Sequence, residues 1–182
     1  PENISALASA GCDEVWIGAE SGSQKILNLM DKGITVEQIY KATDLLKKNK
    51  IKPCFFLQLG YKGELKSDID STLKMLFDLM PHDIGISVSY PLPGTKFYES
   101  VKESMQEKTN WTDSDDLAMM FPNQYPPDFY RKLQKYIHKK FRQKQTEVIF
   151  ENFMIKNLFS TDFFKKLIRY PFYFFSTMPP VQ

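Results

Sequence analysis

The sequence predicts an α/β fold in which three parallel strands with crossover helices form half of a barrel, followed by a helical extension. Residues 14–92 alternate strand and helix three times. Each return from strand to strand passes through helix, which requires parallel pairing with right-handed crossovers. Three such strands alone leave two open edges. The chain has 182 residues, too few for a closed eight-stranded barrel of roughly 250.

The elements follow in order. Ile4, Leu7 and Ala8 mark a short helix that leads into a strand at Glu14 to Gly18. Ser21-Gly22-Ser23-Gln24 has capping-box spacing before a helical face of Ile26, Leu27 and Met30, and Gly33 is expected to end that helix. Thr35 to Gln38 is a second capping box, and Val36, Ile39, Tyr40, Thr43 and Leu46 share a face. The second strand runs from Pro53 to Leu59 and Gly60 to Gly63 is a turn. Ser67 is the expected cap of the next helix, which ends before Pro81. Ile84 to Tyr90 is the third strand, broken at Pro91. Beyond residue 95 the pattern is helical: a short helix at 96–104, an irregular stretch, and a long helix from Asp128 to about Glu151. The expected division is 1–105 for the half-barrel and 106–182 for the extension.

Composition narrows the function. Aromatic residues make up 14%, too many for a disordered chain. The net charge is only +2, which does not mark a nucleic-acid binder. Cys12 and Cys54 are the only cysteines, so this chain has neither a disulfide scaffold nor three thiolates for a cluster. Two reduced thiols are expected in a cytoplasmic protein. His82 and His138 have no cysteine or carboxylate at metal-ligand spacing. The start at Pro1 has no signal-peptide pattern, and a chain that opens on a short helix leading straight into a strand is expected to be a piece of a longer protein.

The period of two sorts each strand by face. Val15, Ile17 and Ala19 oppose Trp16, Gly18 and Glu20; Phe55, Leu57 and Leu59 oppose Cys54, Phe56 and Gln58; Ile84, Ile86, Val88 and Tyr90 oppose Gly85, Ser87 and Ser89. The bulky aliphatic faces are expected to meet helices. Glu20, Gln58 and Ser89 are expected to converge at the carboxyl end of the sheet, where such folds bind ligands.

Val15 to Gln24, the turn from Phe56 to Glu64, and Ser89-Tyr90-Pro91-Leu92-Pro93-Gly94-Thr95 followed by Phe97-Tyr98-Glu99 resemble radical S-adenosylmethionine (radical SAM) enzymes. The similarity covers about residues 1–105 and points to the cobalamin-binding-domain subgroup that includes anaerobic magnesium-protoporphyrin IX monomethyl ester oxidative cyclases. It implies the C-terminal half of a partial (βα)6 TIM-like barrel. It also implies S-adenosylmethionine as cofactor, with Glu20 and Ser21 toward its ribose and methionine, Gln58, Leu59, Gly60 and Tyr61 near its adenine, and Ser89 bordering the pocket. In the parent protein it implies a [4Fe–4S] cluster, possible cobalamin, a small-molecule substrate, and oxidative cyclisation or methyl transfer. The three cluster cysteines of that family are absent here, and Lys62 stands where the family commonly has proline.

From Pro126 to Arg169 the chain carries 11 Lys and Arg against 4 Asp and Glu. The alternative reading is a non-catalytic binding module that uses this basic stretch and the aromatic tail on a protein partner or as a peripheral membrane contact through residues 160–182. Self-association through the open first strand or the tail is also expected.

Overall fold

The computed structural model describes residues 2–105, 120–156 and Arg169. The chain divides into two compact units, Pro1–Arg131 and Lys132–Gln182. In the first, α1 (Glu2–Ser9) precedes β1 (Glu14–Glu20), α2 (Gln24–Leu29), α3 (Val36–Lys48), β2 (Lys52–Leu59), α4 (Lys66–Leu79), β3 (Asp83–Val88), α5 (Lys96–Val101) and a 3₁₀ turn, Lys102–Ser104. Helix α6 (Pro127–Lys156) begins in this unit. The expected contacts of residues 160–182 lie outside the described residues.

The sheet is parallel in the order β1-β2-β3, with Phe55 opposite both Ile17 and Ile84. This is the expected three-stranded, half-barrel-like α/β arrangement. One face is closed: Ala19, Phe55, Leu57, Leu59, Ile84, Ile86 and Val88 are buried there, along with Ile39 and Leu46 of α3 and Ile69 and Leu76 of α4. The other face carries Trp16 and Phe56, 40% and 50% exposed. Their rings stack at 4.6 Å.

The capping box at Thr35 forms as the sequence predicts: Thr35 Oγ1 accepts from the Gln38 N–H and Gln38 Oε1 accepts from the Thr35 N–H. Three other local expectations are corrected. Ser23, not Ser21, precedes α2, and the Gln24 amide instead accepts the Val36 N–H and donates to the Ile34 carbonyl. Gln24 is therefore drawn away from the cap by the chain entering α3. Helix α2 ends before Gly33, because Asp31 takes the left-handed conformation (φ 55°) and the Lys32 N–H closes onto the Leu27 carbonyl. Helix α4 starts at Lys66, ahead of Ser67, because the Asp68 carboxylate accepts the Leu65 N–H at 2.9 Å.

Helices α3 and α4 are tied at the surface. The Tyr40 hydroxyl donates to Asp78 at 2.8 Å and Lys47 donates to the Leu79 carbonyl. Burial and the Asp78 charge push the Tyr40 phenol up to about 12.

Candidate functional site

The end of β1 is built around a kink. Pairing with β2 slips between Gly18 and Glu20, Glu20 lies at φ 55°, and the Ser21 N–H donates to the Ala19 carbonyl at 2.6 Å. A glutamate held in the left-handed region is strained, a cost that recurs at ligand sites. The Glu20 carboxylate lies over Gly18, where an added Cβ would meet its Oε1 at 2.8 Å. Lys32 donates to the same oxygen at 2.7 Å.

The following segment, Ser21 to Ser23, is fastened to α4. Ser21 is fully buried, its hydroxyl 3.0 Å from Thr72 Oγ1. The Gly22 N–H donates to Thr72 Oγ1 at 3.0 Å, and the Ser23 hydroxyl donates to Asp68 at 2.7 Å. Burial alone would push the Asp68 carboxyl up. The hydrogen bonds from Lys25, the Leu65 N–H and Ser23 outweigh it and hold that carboxyl below its usual range. Gly22 is required by contact: a Cβ there would lie 2.3 Å from the Ser71 carbonyl oxygen.

At the end of β2, Gln58 is half-buried on the open face and Leu59 is buried on the closed one. Gly60 and Gly63 both have positive φ, 73° and 86°, which glycine adopts without penalty. Fully buried Glu64 braces this turn, accepting the Gly60 N–H at 2.7 Å. Its carboxyl is pushed up to about 7, by burial above all and also by Asp68, against the Gly60 N–H and Lys25. Tyr61 stacks on Phe97 at 4.4 Å and donates its hydroxyl to the Leu29 carbonyl at 3.0 Å. After β3 the Ser89 N–H donates to the Leu59 carbonyl at 2.8 Å, and Ser89 is fully buried.

Together these ends enclose a cleft of about 870 Å³. Glu20, Gln58 and Tyr61 meet in it. Ser21, Leu59 and Ser89 are buried outside its lining, and Gly60 shapes the turn behind it. Tyr90 reaches the cleft in place of Ser89, because β3 ends at Val88 and the chain leaves the sheet there. Lys32, Lys62, Lys96, Asp31 and Phe97 also line it. No periodicity marks them, since they come from turns and from the start of α5. The arrangement offers an acceptor and an amide to hydroxyls, and an aromatic wall to a flat ring.

The two cysteines do not join this site. Cys54 is fully buried, and its thiol is pushed up to about 11 by burial and the nearby Glu14 charge. Cys12 directs its thiol to the Glu14 carbonyl. Among the described residues no three His, Cys, Asp or Glu side chains are grouped to hold a metal.

Residues 1–76 match the Radical SAM superfamily model. The chain is 28% identical over 107 residues to an uncharacterized methyltransferase of Pyrococcus horikoshii, covering 58% of this chain and 23% of that protein. It is 35% identical over 88 residues to a tRNA-2-methylthio-N(6)-dimethylallyladenosine synthase of Pseudoalteromonas translucida, covering 46% and 18%. Among solved structures it is similar to archaeal Methanocaldococcus infernus Elp3 with its N-terminus deleted (TM-score 0.50, 31% identity, 54% of this chain and 24% of that one). The chain thus spans about a quarter or less of the length of these relatives. The likeness to Elp3 over 54% of this chain fits the parallel α/β arrangement.

Proposed function

We propose that this chain supplies the ribose and adenine side of an S-adenosylmethionine site, as the C-terminal half of a radical SAM catalytic domain in a longer protein. The observation that carries the reading is the meeting of Glu20, Gln58 and Tyr61 in one cleft at the ends of parallel strands. The residues fit the cofactor: the Glu20 carboxylate accepts from ribose hydroxyls, the Gln58 amide serves a ring edge, and the Tyr61–Phe97 stack offers a flat apolar wall for adenine. Lys32 holds Glu20 in place. S-adenosylmethionine supplies the radical or the methyl group in this class of chemistry. These residues bind and orient it; none of them is assigned a proton transfer.

The cysteines do not fit a [4Fe–4S] cluster, so its ligands belong to a part of the parent outside this chain. Oxidative cyclisation or methyl transfer on a small molecule, with or without cobalamin, completes the proposal. A small molecule is favoured over RNA because two cleft lysines are already neutralised, Lys32 by Glu20 and Lys96 by Asp31.

In the parent protein, Glu20→Ala is expected to weaken S-adenosylmethionine binding about tenfold, the loss of a charge-assisted hydrogen bond. Unchanged affinity by calorimetry would remove Glu20 from the site. A parent reading frame without a C-x-x-x-C-x-x-C motif would remove the catalytic reading.

A further inference from the structure

The first compact unit continues past the stretch that resembles radical SAM enzymes and ends at Arg131. Residues from its last part reach the back of the cleft. Met120, Phe121 and Tyr130 are buried, the last completely. Phe121 meets the Phe97 ring edge-on at 5.4 Å, on the ring that stacks against Tyr61. Asn123 donates its side-chain amide to the Gly60 carbonyl. The Gly60 residue is therefore gripped twice, at its N–H by Glu64 and at its C=O by Asn123.

A second observation concerns buried polar atoms. Glu64 Oε1, the Tyr130 hydroxyl and the Ser89 hydroxyl are all buried without a hydrogen-bond partner. They belong to one place. Glu64 binds Gly60, Ser89 binds the adjoining Leu59 carbonyl, and the Glu64 charge acts on the Tyr130 phenol. One carboxylate oxygen needs donors, and the two hydroxyls need an acceptor. Leaving all three unpaired is the expensive arrangement.

We infer that residues 120–131 are a positioning element for the cleft: Asn123, together with a Glu64 carboxylate shared by Tyr130 and Ser89, fixes the Gly60–Gly63 turn, while Phe121 fixes Phe97 against Tyr61. The cleft is then braced from behind by residues beyond the family-like stretch. This deepens the S-adenosylmethionine reading and rests on it for its functional consequence, but the tie itself has an independent readout.

The experiment uses the whole chain and compares Tyr130→Phe and Asn123→Ala with the unsubstituted chain. The Glu64 carboxyl carbon is followed by NMR against pH, with Asp68, Lys25 and Tyr130 as the charged and titratable groups that act with it. Tyr130→Phe removes a donor to the carboxylate, so the Glu64 midpoint is expected to rise. Asn123→Ala is expected to shift the Gly60 and Tyr61 amide resonances and to leave the Glu64 midpoint in place. A merely structural role for Tyr130 does not move that midpoint. S-adenosylmethionine affinity is then expected to fall about fivefold in each variant, the loss of one hydrogen bond. An unmoved midpoint together with unmoved turn resonances overturns the inference. If the unsubstituted chain and Glu20→Ala show the same absent or equal binding while the resonances move as expected, the positioning tie stands and the cofactor reading falls.

Discussion

The two faces of this sheet are made from the same three strands and behave oppositely. The closed face is aliphatic with Phe55 at its centre, and α3 and α4 contribute to the same core. The open face carries the Trp16–Phe56 stack, two glycines and Gln58, and it runs out to the cleft. The lesson is one of division of labour: one face holds the fold, and the other is left free of bulky aliphatic side chains so that a ligand can approach the strand ends.

The largest expected effect separates neighbours in sequence. Phe55→Ala should cost about 3–5 kcal/mol, because a fully buried ring leaves a cavity. Phe56→Ala, at half exposure, should cost well under half of that. Urea unfolding of the two variants measures the gap, and equal losses would break the distinction between the faces.

Glu64 sharpens the comparison from the closed end. Its folded carboxyl is pushed up to about 7, above the ordinary 4.5. Folding therefore takes up a proton between these values. The Glu64 contribution to stability should be fully present below the lower value, fall as pH rises through the window, and level off above about 7. The full span is at most about 3 kcal/mol. Glu64→Gln should flatten this part of the stability–pH curve; a slope that survives the substitution assigns it to another group.

The smallest effect compares two glycines. An added Cβ at Gly22 meets the Ser71 backbone at 2.3 Å, whereas one at Gly85 meets the Phe56 ring at 3.1 Å, a half-exposed side chain with room to move. Gly22→Ala should cost about 1–3 kcal/mol as overpacking, and Gly85→Ala clearly less. The reverse order in thermal melts would place the tight packing on the open face.

Much of the strand layout was legible beforehand. Period-two alternation marks the faces, and Thr35 and Gln38 announce their cap because both partners lie within one turn. Glu20 and Gln58 were legible as cleft residues through their parity. Ser21 was expected beside a ligand, and its hydroxyl is instead spent on Thr72, 51 positions away. Ser67 looked like a cap, but Asp68 has the longer reach and takes the Leu65 N–H. Lys32 and Lys96 gave no signal, because they follow no strand period, and Phe97 was marked only by the resemblance.

By itself the sequence determined the strand–helix alternation, the parallel pairing it forces, the face each strand residue occupies, and the lack of cluster thiolates in this chain. These are local or arithmetical properties. Only the tertiary structure decided that Ser89 lies behind the cleft while Tyr90 enters it, that Ser21 to Ser23 docks on α4, and that Asn123 and Tyr130 reach the turn at Gly60. Those outcomes depend on where a strand leaves the sheet and on which distant hydrogen-bond partner folding brings within 3 Å, and neither is written in the spacing of residues along the chain.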